Sequence, residues 1–507
     1  MRIKSSMVNL VFAITGQSLG LLISFFARIV FIQILGKEYL GLNGLFTNIL
    51  SLLSLVELGI GPAITYSLYK PLAHKDISKV KSLMRLYKKA YITIGILILI
   101  LGLLMMTFLE VFIKTIPDIP YIHLIFFLFV LNSAISYFYS YKRALIISDQ
   151  KRYIATIYRY SFFILLNIIQ IFMLYLTQNF ILFLICQILV TLAENIVVSK
   201  KADKLYPYLK EKNIQKVDQE TFKEITKNVR AMIAHKLGGV VVNSTDSIII
   251  SKFSGLVTLG VLSNYQLIIN ALNLITSQIF ASITASVGNL GATESKEKSL
   301  DIFKVVFFIN FWLYGFISIS LVILINPFIE LWIGKEFVLN ISIIFVIILN
   351  FYLTGMRKSV LTFKEALGLY WYDRYKPLFE VFINLIASLI LVQKFGMLGV
   401  FIGTTISTIT TCFWIEPLVL YKYGFKSPVF PFFFKYFIYS LVTVSMGIFM
   451  MEVNGYFIGV TLLNFVVQLF ICIFVINGMF LLLFYRTAEF KYLIHIANNL
   501  FIGLKKK

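Results

Sequence analysis

Residues 7–35 read MVNLVFAITGQSLGLLISFFARIVFIQIL, a run in which Arg28 is the one charged side chain. A bilayer core about 30 Å thick is crossed by about 20 mostly apolar residues in a helix, and this run exceeds that length. Its positive start at Arg2 and Lys4 resembles a secretory leader. The apolar stretch is too long for a cleavable core and ends without a small-x-small site, so it reads as a first span that stays in place.

Working outward, the same criterion is met at 42–69, 90–109, 121–141, 160–177 and 180–199, and after a polar stretch at 231–252, 256–288, 302–325, 338–356, 378–392, 397–420, 431–451 and 456–484. The expected fold is therefore an all-α integral membrane protein of about fourteen transmembrane helices. A lipid-exposed backbone must pair every amide internally, and the short alternating segments of a membrane barrel are missing. Composition agrees, with 59% hydrophobic and 14% charged residues, against about 25% charged in soluble domains.

The formal charge of +22 would suit nucleic acid only on a soluble basic face, and here the cations fall between apolar runs, so no nucleic-acid partner is expected. Lys70, Lys75, Lys79, Lys81, Arg85, Lys88 and Lys89 follow the second span, and Lys142, Arg143, Lys151, Arg152 and Arg159 follow the fourth. Further clusters follow the sixth and tenth spans, while the alternate loops carry single lysines such as Lys37, Lys114 and Lys394. By the positive-inside rule both termini are expected in the cytoplasm, with anionic lipids beside the basic loops. Cys186, Cys412 and Cys472 sit in apolar runs without paired or metal-ligand spacing and read as small buried hydrophobes.

Comparison of the chain with itself reveals a repeat. Leu35-Gly36-Lys37-Glu38-Tyr39-Leu40-Gly41 matches Ser254-Gly255-Leu256-Val257-Thr258-Leu259-Gly260, Lys79-Val80-Lys81-Ser82-Leu83 matches Lys296-Glu297-Lys298-Ser299-Leu300, and Gln150-Lys151-Arg152-Tyr153 matches Tyr372-Asp373-Arg374-Tyr375. The order is kept, so the first six helices correspond to the next six. The expected organisation is an N-terminal lobe at 1–199, a basic cytoplasmic connector at 200–230, a C-terminal lobe at 231–426, and a final helix pair with tail at 427–507. An even-numbered repeat returns to the same side, which makes the lobes parallel around a central cavity.

No phosphate-cradling Gly-Lys-Ser/Thr loop, metal cluster or nucleophile motif occurs in the sequence, so an enzyme is not expected. What remains is intramembrane polarity, which is costly and marks function or pairing. Arg28 lies eight residues before Gly36 and Asp246 nine before Gly255, hence about 12 Å from the same membrane face in repeat-related helices. They read either as facing groups at a cavity mouth or as a buried ion pair. Glu57 lies in a polar stripe with Asn43, Thr47, Ser51, Ser54, Gly61 and Thr65; with Asp246 it is a candidate for gating or for coupling to a sodium ion or proton, the alternative being a structural cap. Gln266, Asn270, Asn273 and Ser277 form a second stripe at helical spacing, whose amides can bind sugar hydroxyls or neighbouring helices. His235 and Lys236 are candidates for cytoplasmic entry of an anionic head group, or interfacial anchors.

The runs Arg28–Gly44, RIVFIQILGKEYLGLNG, and Glu57–Lys70, ELGIGPAITYSLYK, resemble the oligosaccharide flippase (polysaccharide transporter) family of the multidrug/oligosaccharidyl-lipid/polysaccharide exporter superfamily. The resemblance covers essentially the whole length. It implies two six-helix lobes plus a final pair, alternating access, and movement of a polyprenyl-pyrophosphate-linked oligosaccharide to the outer leaflet of a bacterial cytoplasmic membrane. A polysaccharide polymerase and glycosyltransferases are the implied partners, with no bound cofactor. Arg28, Asn48, Gln266, Asn270 and Asn273 are the expected substrate contacts, since Arg forms forked bonds with phosphate oxygens. Within transport the alternative is a cation-coupled multidrug exporter; outside it, a scaffold of a glycan assembly complex, which has no need of polar stripes.

Overall fold

The computed structural model describes residues 2–57, 59–115, 118–211 and 215–495, and among them every regular element is helical. Backbone contacts group the chain into two units, 1–260 and 261–507. The first unit holds α1 (Arg2–Leu53), a 3₁₀ turn (Ser54–Glu57), α2 (Ile60–Ala73), α3 (Ile77–Met106), α4 (Ile122–Ser148), α5 (Arg152–Thr177), α6 (Phe180–Leu205) and α7 (Gln219–Ser254). In the second lie most of α8 (Leu256–Thr293), then α9 (Lys296–Ile333), α10 (Ile341–Met356), α11 (Lys358–Ala366) and α12 (Lys376–Phe395). Three spans complete it: α13 (Met397–Phe425), α14 (Phe430–Asn454) and α15 (Leu462–Phe484).

Eleven helices among the described residues are long and apolar enough to cross a membrane, with α1 and its 3₁₀ extension counted once. The chain is a multi-pass membrane protein of about fourteen spans. Two differences from the sequence expectation are physical. No loop separates the first two spans: α1 runs through and breaks at Gly36 alone, where φ is 83° and ψ is −174°. The second span is itself interrupted, because a 3₁₀ turn ends at Glu57 and Gly59 takes a left-handed φ of 77° before α2 starts.

Gly36 has a repeat mate. Gly255, between α7 and α8, has φ 94° and ψ 165°, the same region, open essentially to glycine alone. The second glycines of the two motifs meet across the pair. A Cβ on Gly41 would lie 1.9 Å from the Leu256 carbonyl oxygen, and one on Gly260 would lie 2.3 Å from the Lys37 carbonyl oxygen. The two repeat motifs therefore cross backbone to backbone in a reciprocal contact. Contacts also group α7 with the first unit, where it packs on α1 and α2, whereas the sequence reading begins the second lobe at residue 231.

In lipid the helices gain little from hydrophobicity alone, so close packing and interhelical hydrogen bonds join them. Tyr87, Tyr91, Leu83, Val198 and Ala202 are buried at the centre of the first unit. The second is built on α9, where Phe303, Phe307 and Phe311 pack on α14, the Phe311 and Tyr439 rings stacking at 4.2 Å. The Asn310 amide donates to the Met356 carbonyl at 2.9 Å, tying α9 to α10. The stretch 200–230 is largely folded: α6 continues to Leu205, a 3₁₀ turn covers Pro207–Lys210, and ion pairs Lys81–Glu211 (2.7 Å) and Lys79–Asp218 (3.5 Å) hold it to α3.

Candidate functional site

In the first unit the break between α1 and α2 brings Glu57 under two tyrosines. Its carboxylate accepts from the Tyr91 hydroxyl at 3.1 Å and from the Tyr137 hydroxyl at 3.4 Å. Tyr87, Tyr91 and Tyr137 form a column with successive ring centroids 5.5 and 6.1 Å apart. The Tyr87 hydroxyl donates to the Gly61 carbonyl and lies 2.8 Å from the Thr65 hydroxyl. At the break the Ser54 hydroxyl takes up the Ser51 carbonyl, in the last turn of α1.

The polar stripe leading to Glu57 is largely engaged with its own helix. Thr47 donates to the Asn43 carbonyl at 2.7 Å, Ser51 to that of Thr47 at 2.9 Å, and Ser54 to that of Ser51 at 2.6 Å. Asn48, an expected substrate contact, spends an amide proton on the Gly44 carbonyl at 2.8 Å. Such back-bonding consumes donors and leaves oxygen lone pairs exposed, an environment that suits a cation better than an anion.

Arg28 is half-buried in the first arm of α1 and Asp246 is buried in α7, a helix that packs on α1; neither is without a partner. In the second unit Gln266 and Asn273 are half-buried and Asn270 is exposed. Those three do not line the cavity beside α8, which has a volume near 560 Å³; Ser277, Thr284, Lys358, Thr362, Glu365 and Tyr370 do. There the Lys358 ammonium donates to the Ser277 hydroxyl at 3.4 Å. His235 and Lys236 lie in α7, and their side chains are outside the described ones.

Sequence reasoning passed over a four-charge cluster in the second unit. Arg357, at the end of α10, donates to Glu416 through Nε (2.9 Å) and Nη2 (2.7 Å), and Lys376 donates to the same carboxylate at 2.6 Å. Glu380 completes the cluster, 3.4 Å from Lys376 and 3.9 Å from Arg357. Glu416 is fully buried. Beside it Lys364 and Asp373 form a second buried pair. Arg357, Lys364 and Lys376 read in the sequence as topology signals, and only the carboxylate at Glu416, well inside a span, offered a clue.

No family model and no curated protein matches the chain. Solved structures do match its fold. An inward closed lipid II flippase MurJ superposes with a TM-score of 0.67 at 15% identity, covering 94% of this chain and 100% of the other. An inward-facing multidrug resistance MATE family transporter of the MOP superfamily gives 0.64 at 14% identity, covering 80% and 96%. A MATE transporter from Vibrio cholerae, VcmN, gives 0.58 at 11%, covering 84% and 99%. The chain thus shares the fold of these flippase and MATE transporter structures, in line with the expectation from its sequence.

Proposed function

We propose that the protein is a flippase that moves a polyprenyl-pyrophosphate-linked oligosaccharide across the membrane by alternating access. The observation that carries this reading is the guanidinium of Arg28, half-buried inside α1 and set before Gly36 as Asp246 is set before Gly255. A cation at membrane depth is expensive without a task, and Arg stays charged while offering planar, forked donors that suit phosphate oxygens. The hydroxyls and aromatic rings around the cavity near Ser277 and Tyr370 suit a glycan. The similar fold of a lipid II flippase is consistent with such a cargo.

The test is the leaflet location of a radiolabelled polyprenyl-linked oligosaccharide in cells with and without the protein. Depletion should trap the label on the cytoplasmic side; wild type should restore its export and Arg28→Ala should not. An unchanged distribution on depletion would refute the flippase reading. One observation favours the second reading, a cation-coupled multidrug exporter: Glu57 is met by phenol hydroxyls at 3.1 and 3.4 Å, which leaves its charge available to a sodium ion or proton. Drug resistance on overexpression, with intact glycan export on deletion, would select that reading.

A further inference from the structure

At one end of the first unit a basin with a volume near 630 Å³ opens among α3, α4, α6 and the 3₁₀ turn at Pro207–Lys210. Lys81, Arg85, Lys88, Lys89, Lys142 and Lys210 line it, against the carboxylates of Asp203 and Glu211. Those two acids are committed. Glu211 holds Lys81 at 2.7 Å, and Asp203 holds Lys142 at 2.7 Å, with Ser199 on the same ammonium at 2.8 Å. Lys88 and Lys89 project exposed, and the basin keeps a strong positive excess.

A positive-inside bias accounts for cations anywhere in a loop. It does not account for their convergence from α3, α4 and the turn after α6 into one concavity. Nor does it account for the wall that leaves the basin. Ile92 and Thr93 line its edge, and exposed Ile96, Leu97, Ile100, Leu103 and Leu104 continue along α3 at the three- and four-residue spacing of a single helix face. Cations thus sit where α3 passes from its polar start into its apolar length, with an apolar ridge running from them into the span.

We propose that this basin binds the phosphate headgroup of a membrane-embedded anionic lipid, whose chains lie along the α3 ridge. The ammonium groups supply charge-assisted bonds to phosphate oxygens, and the ridge supplies the contact that a soluble phosphate cannot use. The lipid is either a bilayer phospholipid or the lipid-linked cargo of the proposed function. The site itself does not depend on that function, because its occupancy is read without transport.

The full chain in detergent, given equal phosphatidylglycerol and phosphatidylcholine, is examined by native mass spectrometry. Wild type should retain phosphatidylglycerol preferentially. The double variant Lys88→Glu with Lys89→Glu, both exposed, should lose that preference by at least about tenfold; Arg152→Glu, an exposed cation outside the basin, should keep it. Displacement by a polyprenyl pyrophosphate but not by inorganic pyrophosphate would identify the cargo as the occupant, and resistance to both a bilayer phospholipid. Equal retention of the two phospholipids, equal loss in the Arg152→Glu control, or release by inorganic pyrophosphate alone would each overturn the proposal.

Discussion

Glu57 and Glu416 are both carboxylates inside membrane spans, and their surroundings are opposite. Glu416 is enclosed by Arg357 and Lys376 at 2.6–2.9 Å, so its charge is already answered by the protein. Around Glu57 stand the hydroxyls of Tyr91 and Tyr137, which orient a carboxylate without neutralising it. A buried charge needs a counter-charge or a proton; at Glu416 the fold supplies the counter-charge, whereas the half-buried Glu57 is held by neutral phenols.

Glu416→Gln should break that contrast most severely. Removing this member leaves Arg357 and Lys376 with the more distant Glu380 carboxylate, at 3.9 and 3.4 Å, and breaking such buried pairs typically costs about 3–5 kcal/mol. Thermal unfolding in detergent should show a large fall in midpoint or loss of folded protein. A midpoint within a degree or two of wild type would mean that Arg357 and Lys376 are answered elsewhere.

Next in size is the crossing of the two glycine motifs. Gly41→Leu must push against the Leu256 carbonyl, 1.9 Å from where its Cβ would stand, at a cost of about 1–3 kcal/mol by overpacking. The same substitution at Gly44, whose Cβ would meet only the Leu259 side chain at 3.8–3.9 Å, should be milder. Equal midpoints for the two variants would show that the crossing relaxes freely.

The two glycine motifs were legible in the sequence; their crossing and the ion cluster were not. Spans follow from local hydropathy, and Gly36 and Gly255 were marked by matching motifs because a backbone that only glycine adopts leaves a one-residue signature. Arg28 and Asp246 were visible as single charges within apolar runs. The Arg357–Glu416 contact joins residues 59 apart, and nothing local to either reports it. The tyrosines around Glu57 escaped for the same reason: Tyr91 and Tyr137 lie 34 and 80 residues from it in the chain. Helical stripes pointed to Gln266, Asn270 and Asn273 as substrate contacts; the cavity beside α8 is lined by Ser277, Phe280 and Thr284 further along the same helix, since periodicity defines a face without saying which part of it lines a given void.

A smaller effect would sharpen the reading of Glu57. Tyr91→Phe removes one of two phenol hydrogen bonds to the Glu57 carboxylate, a bond to a charged group worth roughly 1.5 kcal/mol, and should lower the midpoint by a few degrees at most. Glu57→Gln keeps size and a hydrogen-bonding oxygen, so stability should hold. In proteoliposomes, however, Glu57→Gln should abolish any dependence of transport on a sodium or proton gradient. Unaltered gradient dependence would assign Glu57 to packing alone.

The smallest effect concerns a carboxylate outside the spans. Asp218 caps α7: it accepts from the Thr221 backbone N–H at 2.7 Å and the Thr221 hydroxyl at 2.8 Å, and these bonds, with a lesser contribution from Lys79, hold its carboxyl below the usual range. A carboxyl lowered in the folded state contributes stability that is present above its unfolded value and is lost as pH falls through its folded one. Hydrogen exchange at residues 219–222 should therefore quicken, beyond its intrinsic pH dependence, on acidification below the ordinary aspartate range. Asp218→Asn keeps a capping oxygen but cannot titrate, so its exchange should lose that added acid sensitivity. Persistence of the same acid response in the variant would mean that another group opens the helix start.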